Sequence, residues 1–94
     1  PHSSDAHFQL AKIYVGQNKL PEAEKEAIEA VKADGNNKWY LDLLASVYVG
    51  ENKIKEATET YKTMIQKFPN NGETYLNLGY MQEKAGQREN AIKT

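Results

Sequence analysis

A 34-residue period runs through this chain. Sliding the sequence by 34 positions lays residues 4–37 over 38–71 and makes eleven positions identical: Leu10/Leu44, Ala11/Ala45, Tyr14/Tyr48, Val15/Val49, Gly16/Gly50, Asn18/Asn52, Lys19/Lys53, Glu22/Glu56, Ala23/Ala57, Asn36/Asn70 and Asn37/Asn71. Chance would give about two at average residue usage. A second shift brings Tyr75, Leu78, Gly79, Gly86 and Ala91 onto the same frame, so a third copy starts at Gly72 and stops partway at Thr94. The architecture is about 2.7 units of one supersecondary element. Units of this size bury a core by stacking on their neighbours.

Each copy carries two helical faces. In the first, His7, Leu10, Ala11 and Tyr14 recur at the three-and-four spacing of one face, followed by Leu20, Ala23, Ala27 and Val31. The second repeats this with Leu41, Leu44, Ala45 and Tyr48, then Ile54, Ala57, Tyr61, Met64, Ile65 and Phe68. Asn18, Asn52 and Gly86 stand at the turn inside each copy, and these residue types best tolerate a left-handed backbone after a helix. Pro21 stands where a second helix starts, and Gly35-Asn36-Asn37 and Pro69-Asn70-Asn71-Gly72 separate the copies. Six helices are predicted, near 4–17, 20–34, 38–51, 54–68, 72–85 and 88–94. The small residues Ala11, Ala45 and Gly79 share one repeat position, and Ala23, Ala57 and Ala91 another. A larger side chain at either would hold the helices of a hairpin apart. Tyr14 and Tyr48 fill the space beside them, with Gln82 at that position of the third copy. Tyr61 and Tyr75 also fall on packing stripes, and a core role is expected for all four tyrosines.

Composition narrows the function classes. The formal net charge of -1, from 12 Lys+Arg and 13 Asp+Glu interspersed along the chain, offers no basic field for nucleic acid. Helical-hairpin arrays also read RNA, one base per repeat, but here the groove side chains differ between copies, so no nucleic-acid partner is expected. The absence of cysteine removes disulfides, thiolate nucleophiles and zinc ribbons. The longest wholly apolar runs span three residues, such as Ile13-Tyr14-Val15, too short for membrane insertion. His2, Asp5 and His7 define no common helical face for a metal, and His7 reads as a packing residue. No strained turn or Gly-rich loop accompanies Ser3, Ser4 or Ser46, so no Ser-His-Asp site, cofactor or enzyme activity is expected. The charged run Glu22 to Glu29 reads as solvated convex surface.

The combined period, faces and turn chemistry resemble the tetratricopeptide repeat family. Its pattern of Leu-Gly/Ala, Tyr, a turn Gly/Asn, then Ala, aromatic and closing Pro is carried by Leu44-Ala45, Tyr48, Asn52, Ala57, Tyr61 and Pro69. The third copy adds Tyr75, Leu78-Gly79, Gly86 and Ala91. His7, Ala27 and Gly35 depart from the pattern in the first copy, and Gln82 in the third. The resemblance covers residues 4–94 and implies an all-α fold, a right-handed superhelical array of antiparallel hairpins. It also implies a non-catalytic scaffold whose concave face, lined by the first helices, binds a protein or peptide segment. Carried over by repeat position, the expected ligand-binding groove comprises Phe8, Lys12, Trp39, Asp42, Leu43, Ser46, Glu73, Leu76, Asn77 and Tyr80. Phe8, Trp39, Leu76 and Tyr80 are candidate apolar anchors, with Lys12, Asp42, Glu73 and Asn77 fixing register. Trp39 is equally compatible with an inter-repeat contact. The family's clamp for acidic C-terminal tails needs Lys, Asn, Asn, Lys and Arg where this chain has Phe8, Lys12, Leu43, Glu73 and Asn77, so a carboxylate-terminated partner is not expected.

The sixth helix begins an apolar stripe with Ala91 and Ile92 that Thr94 cuts off. The chain therefore reads as one repeat domain within a longer protein. The alternative function is self-assembly, through this end, or a spacer role beside an effector domain.

Overall fold

The computed structural model describes residues 4–93, with side chains through Gly86. Five helices follow in order: α1 (Ser4–Gly16), α2 (Leu20–Ala33), α3 (Lys38–Gly50), α4 (Ile54–Lys67) and α5 (Gly72–Lys93). There is no strand among the described residues. Each helix packs on the next, and α1 also touches α3. The result is an all-α array of helical hairpins, α1/α2 and α3/α4, with α5 laid against α4.

The turn chemistry acts as the repeat implied. Asn18 and Asn52 have φ of 59° and 61°, the left-handed conformation. In the first hairpin Asn18 N–H donates to the Val15 carbonyl at 3.0 Å and Lys19 N–H to that of Tyr14 at 2.8 Å. In the second, Asn52 N–H donates to Val49 at 3.0 Å and Lys53 N–H to Tyr48 at 2.8 Å. This doubled pairing is a Schellman motif, which satisfies the last carbonyls of a helix and reverses the chain. Pro21 lies in the first turn of α2, where its missing N–H has no partner to lose. Between the hairpins, the Asn37 side chain accepts from the backbone N–H of Trp39 and Tyr40 at 3.0 and 3.3 Å and caps α3.

The small repeat positions lie at helix contacts. Ala11, Ala23, Ala45 and Ala57 are each 0% exposed. One core cluster joins Ala11 and Ala27 to Leu44, and a second joins Leu41, Ala45, Ile54, Ala57, Tyr61, Met64 and Met81. Thr60 is buried on α4 and returns its hydroxyl to the Glu56 carbonyl at 2.9 Å, which leaves that apolar layer without an orphan donor.

The third copy departs from expectation. A turn at Gly86 was predicted, yet α5 is a single helix of 22 residues that runs through it, and no described glycine has positive φ. Five helices stand where six were expected. Tyr75 is 47% exposed and Gly79 is exposed, in contrast to Ala11 and Ala45 at the same repeat position. Tyr75 is thus not a core residue, because among the described residues no second helix covers its face of α5. Of the other tyrosines, Tyr61 is buried, and Tyr14 and Tyr48 are half-buried. The side chains of Ala91 and Ile92 lie outside the described residues, as does His2.

Candidate functional site: a cleft between α3 and α5

The cleft forms where the starts of α3 and α5 flank Met64 of α4. It has a volume of ≈ 230 Å³ and is lined by Lys38, Trp39 and Asp42 from α3 and by Asn71, Glu73, Thr74 and Asn77 around the start of α5. Trp39 stands at the mouth, its backbone N–H donating to the Asn37 cap, and its side chain is 65% exposed. The Lys38 ammonium lies 5.4 Å from the centre of its ring. Thr74 is only 2% exposed and forms part of the wall.

The cleft is electrostatically acidic. Burial, followed by the nearby Glu73 carboxylate, pushes the Asp42 carboxyl above its ordinary range, and Lys38 partly offsets this. Tyr61, below the cleft, has its phenol pushed up by burial and then by Asp42 and Glu73. Two carboxylates beside an aromatic face suit a cationic group, which both can attract and which the ring can stack upon.

The ten groove residues inferred from repeat position fall into three sets. Trp39, Asp42, Glu73 and Asn77 converge on the cleft. Ser46, Leu76 and Tyr80 are exposed, Leu76 at 76% and Tyr80 at 56%, with the Lys84 ammonium 5.3 Å from the Tyr80 ring centre. Phe8 and Leu43 join the first copy to the second instead of standing free. The Phe8 ring lies 4.8 Å from that of the buried Tyr40, and Leu43 packs on the cluster of Ala11, Ala27 and Leu44. Lys12 is exposed and sits 5.4 Å from the Phe8 ring centre, which ties it to this seam.

Sequence reasoning missed Tyr40, Lys38, Asn71 and Thr74. Tyr40 carries the seam and its hydroxyl donates to Ser4 Oγ at 3.3 Å. Its signal was available, since it follows Trp39 directly and so points roughly 100° away on the helix. His7 is a packing residue with a polar partner: its Nδ1 lies 2.8 Å from Glu26 Oε1 across the α1/α2 hairpin. Among the described residues no cluster of His, Cys, Asp and Glu is arranged to hold a metal ion, and no helix is long and apolar enough to cross a membrane.

Stacked helical hairpins with an open side-chain-lined face define the class of α-solenoid interaction proteins. Residues 4–37, the span of the first copy of the period, match the model of the tetratricopeptide repeat, in keeping with the helical-hairpin array. The repeats of this family generally mediate protein–protein interaction and are not typically catalytic. No curated protein matches the chain.

Proposed function

We infer that the chain is a non-catalytic scaffold that takes a peptide or protein segment along the α1/α3/α5 face, with the α3–α5 cleft as its centre. The observation that carries this reading is the convergence of Trp39, Asp42, Glu73 and Asn77, from two copies of the repeat, on one cleft over Met64. The chemistry of that cleft favours a partner with an apolar side chain followed by Lys or Arg. The apolar group lies against Trp39, and the cation meets Asp42 and Glu73. An acidic partner segment is repelled by the same pair.

Trp39 is the single tryptophan and reports directly on its own site. Two short peptides of equal length, one alternating leucine with lysine and one leucine with glutamate, are titrated against its fluorescence. The lysine peptide is expected to saturate the signal, to lose about tenfold in affinity on Asp42→Asn/Glu73→Gln, and to weaken with added salt. Equal response to both peptides, or none to either, overturns the reading.

The second reading, self-assembly, is favoured by a different observation. Tyr75, Leu76 and Tyr80 leave a run of exposed apolar surface on α5.

A further inference from the structure

The α3–α5 cleft has a neighbour of opposite charge. An open hollow of ≈ 530 Å³ lies at the junction of α4 and α5, lined by Lys38, Lys67, the half-buried Phe68 and the linker 69–72. No carboxylate stands in its wall. Lys38 and Asn71 line both the cleft and the hollow, so the two are parts of one surface. Asp42 and Glu73 belong to the first part and Lys67 to the second, with Lys38 on the divide.

Both lysines keep their charge for something outside the chain. The Lys67 ammonium donates to Asn36 Oδ1 at 2.8 Å, which brings it to the loop just before α3. Asn36 is neutral and takes one of three ammonium N–H donors. Lys38 lies over the Trp39 ring, a contact that leaves the charge in place. Among the described residues the ion pairs of lysine with carboxylate involve Lys32, Lys53 and Lys62, and neither Lys38 nor Lys67. Two such ammonium groups at one hollow suit an anionic side chain.

The repeat does not impose this arrangement. One period earlier, Lys38 and Lys67 correspond to Ser4 and Ala33, and Phe68 to Asp34. The acidic pair changes in the same way, with Asp42 and Glu73 corresponding to Phe8 and Trp39. The first junction is therefore without either charge pair. Acid and base stand side by side only where the second copy meets the third, and a packing requirement common to the copies would have placed them at both junctions.

We propose that the partner segment is bipolar: an extended stretch that sets a Lys or Arg in the α3–α5 cleft and, two residues away in sequence, an Asp or Glu in the hollow between Lys38 and Lys67. The spacing follows from α3. Lys38 and Asp42 are one turn apart, about 6 Å along the helix axis. In an extended peptide, residues i and i+2 point to the same side and stand about 6.6 Å apart, so one edge of the segment meets both charges. The residue between them points away and is unconstrained in charge. This inference rests on the reading of the cleft as a site for a basic residue and adds the second half of its specificity.

The test uses the whole chain, Trp39 fluorescence and four pentapeptides with acetylated and amidated ends. Leu-Lys-Leu-Glu-Leu is compared with Leu-Lys-Leu-Gln-Leu, Leu-Lys-Leu-Lys-Leu and the transposed Leu-Lys-Glu-Leu-Leu. Five residues are too few to hold a helix, so the extended form is what is read. The first peptide is expected to bind about fivefold tighter than each of the others. Lys67→Gln is expected to remove its advantage over the glutamine peptide, and Lys67→Glu to reverse its advantage over the lysine peptide, with both variants as helical as the native chain by circular dichroism. Equal affinity for the glutamate and glutamine peptides overturns the proposal, and so does equal affinity for the transposed peptide. A glutamate preference that survives both Lys67 variants places the anion elsewhere and overturns it too. Binding of the glutamine peptide with no gain from glutamate refutes the bipolar partner alone, whereas no binding of any peptide refutes the cleft reading as well.

Discussion

Glu51 is the residue at which this fold meets pH. Its carboxyl closes α3 directly before the Asn52 turn, its side chain is 11% exposed, and its buried Oε1 has no hydrogen-bond partner. Burial first, then hydrogen bonding and charge from Glu24 across the hairpin seam, push it up to about 7 from 4.5; Glu56 adds to this and Lys53, 4.0 Å from Oε2, partly offsets it. A carboxyl raised by folding favours the folded state while it is protonated, so its contribution is complete below 4.5 and lost as pH climbs through about 7. Glu24 behaves in the opposite sense. The Lys53 ammonium at 2.6 Å holds it below its ordinary range, so its contribution is lost in acid. The melting temperature is therefore expected to fall between pH 5 and pH 8, and Glu51→Gln to flatten that slope and melt higher than the native chain at pH 8. An unchanged slope in thermal denaturation followed by circular dichroism refutes this account. Nothing in the sequence announced Glu51, because its burial depends on α2 approaching the α3/α4 turn.

At the scale of elements, the Schellman turns decide which helices exist. Asn18 holds φ at 59° on an exposed turn, a conformation that disfavours Ala more than Asn and suits Gly. Asn18→Ala is expected to cost about 1 kcal/mol in urea denaturation and Asn18→Gly much less. Equal loss for both would place the effect in the side chain and not in the backbone. These two turns and four helices were legible because three signals agreed at each: a left-handed-tolerant residue, an apolar stripe resuming after it, and a small residue facing its counterpart. At Gly86 the first signal stood without the apolar residue after the turn. A glycine alone does not terminate a helix whose neighbours propagate it, so the sixth helix was misread from a single position.

At the scale of the whole molecule, the first two copies meet along one seam. Leu44 enters the cluster of Ala11 and Ala27 from α3, and the Phe8 ring packs at a tilt against Tyr40. Leu44→Ala is expected to lower stability by about 2–5 kcal/mol, read as a lower urea midpoint. Exchange protection should fall first in α1 and α2, because the substitution cuts the seam that holds the first hairpin to the second. A loss below about 1 kcal/mol would show that the hairpins stand independently. The seam also bears on the residues expected along the groove. Repeat position places Trp39, Asp42, Glu73 and Asn77 on one side of the first helices, and these four line the same cleft. It does not say where neighbouring first helices touch, which is why Phe8 and Leu43 are occupied by contacts within the chain.

The Cα trace measures 50 × 31 × 18 Å. With a helix about 10 Å across, its thin dimension holds two layers, so no backbone amide lies more than one helix from bulk water. Such a sheet of helices has skin and almost no interior. Heat or force should wear it away hairpin by hairpin from a free edge, and a partner bound across α3 and α5 would act less as cargo than as a splint.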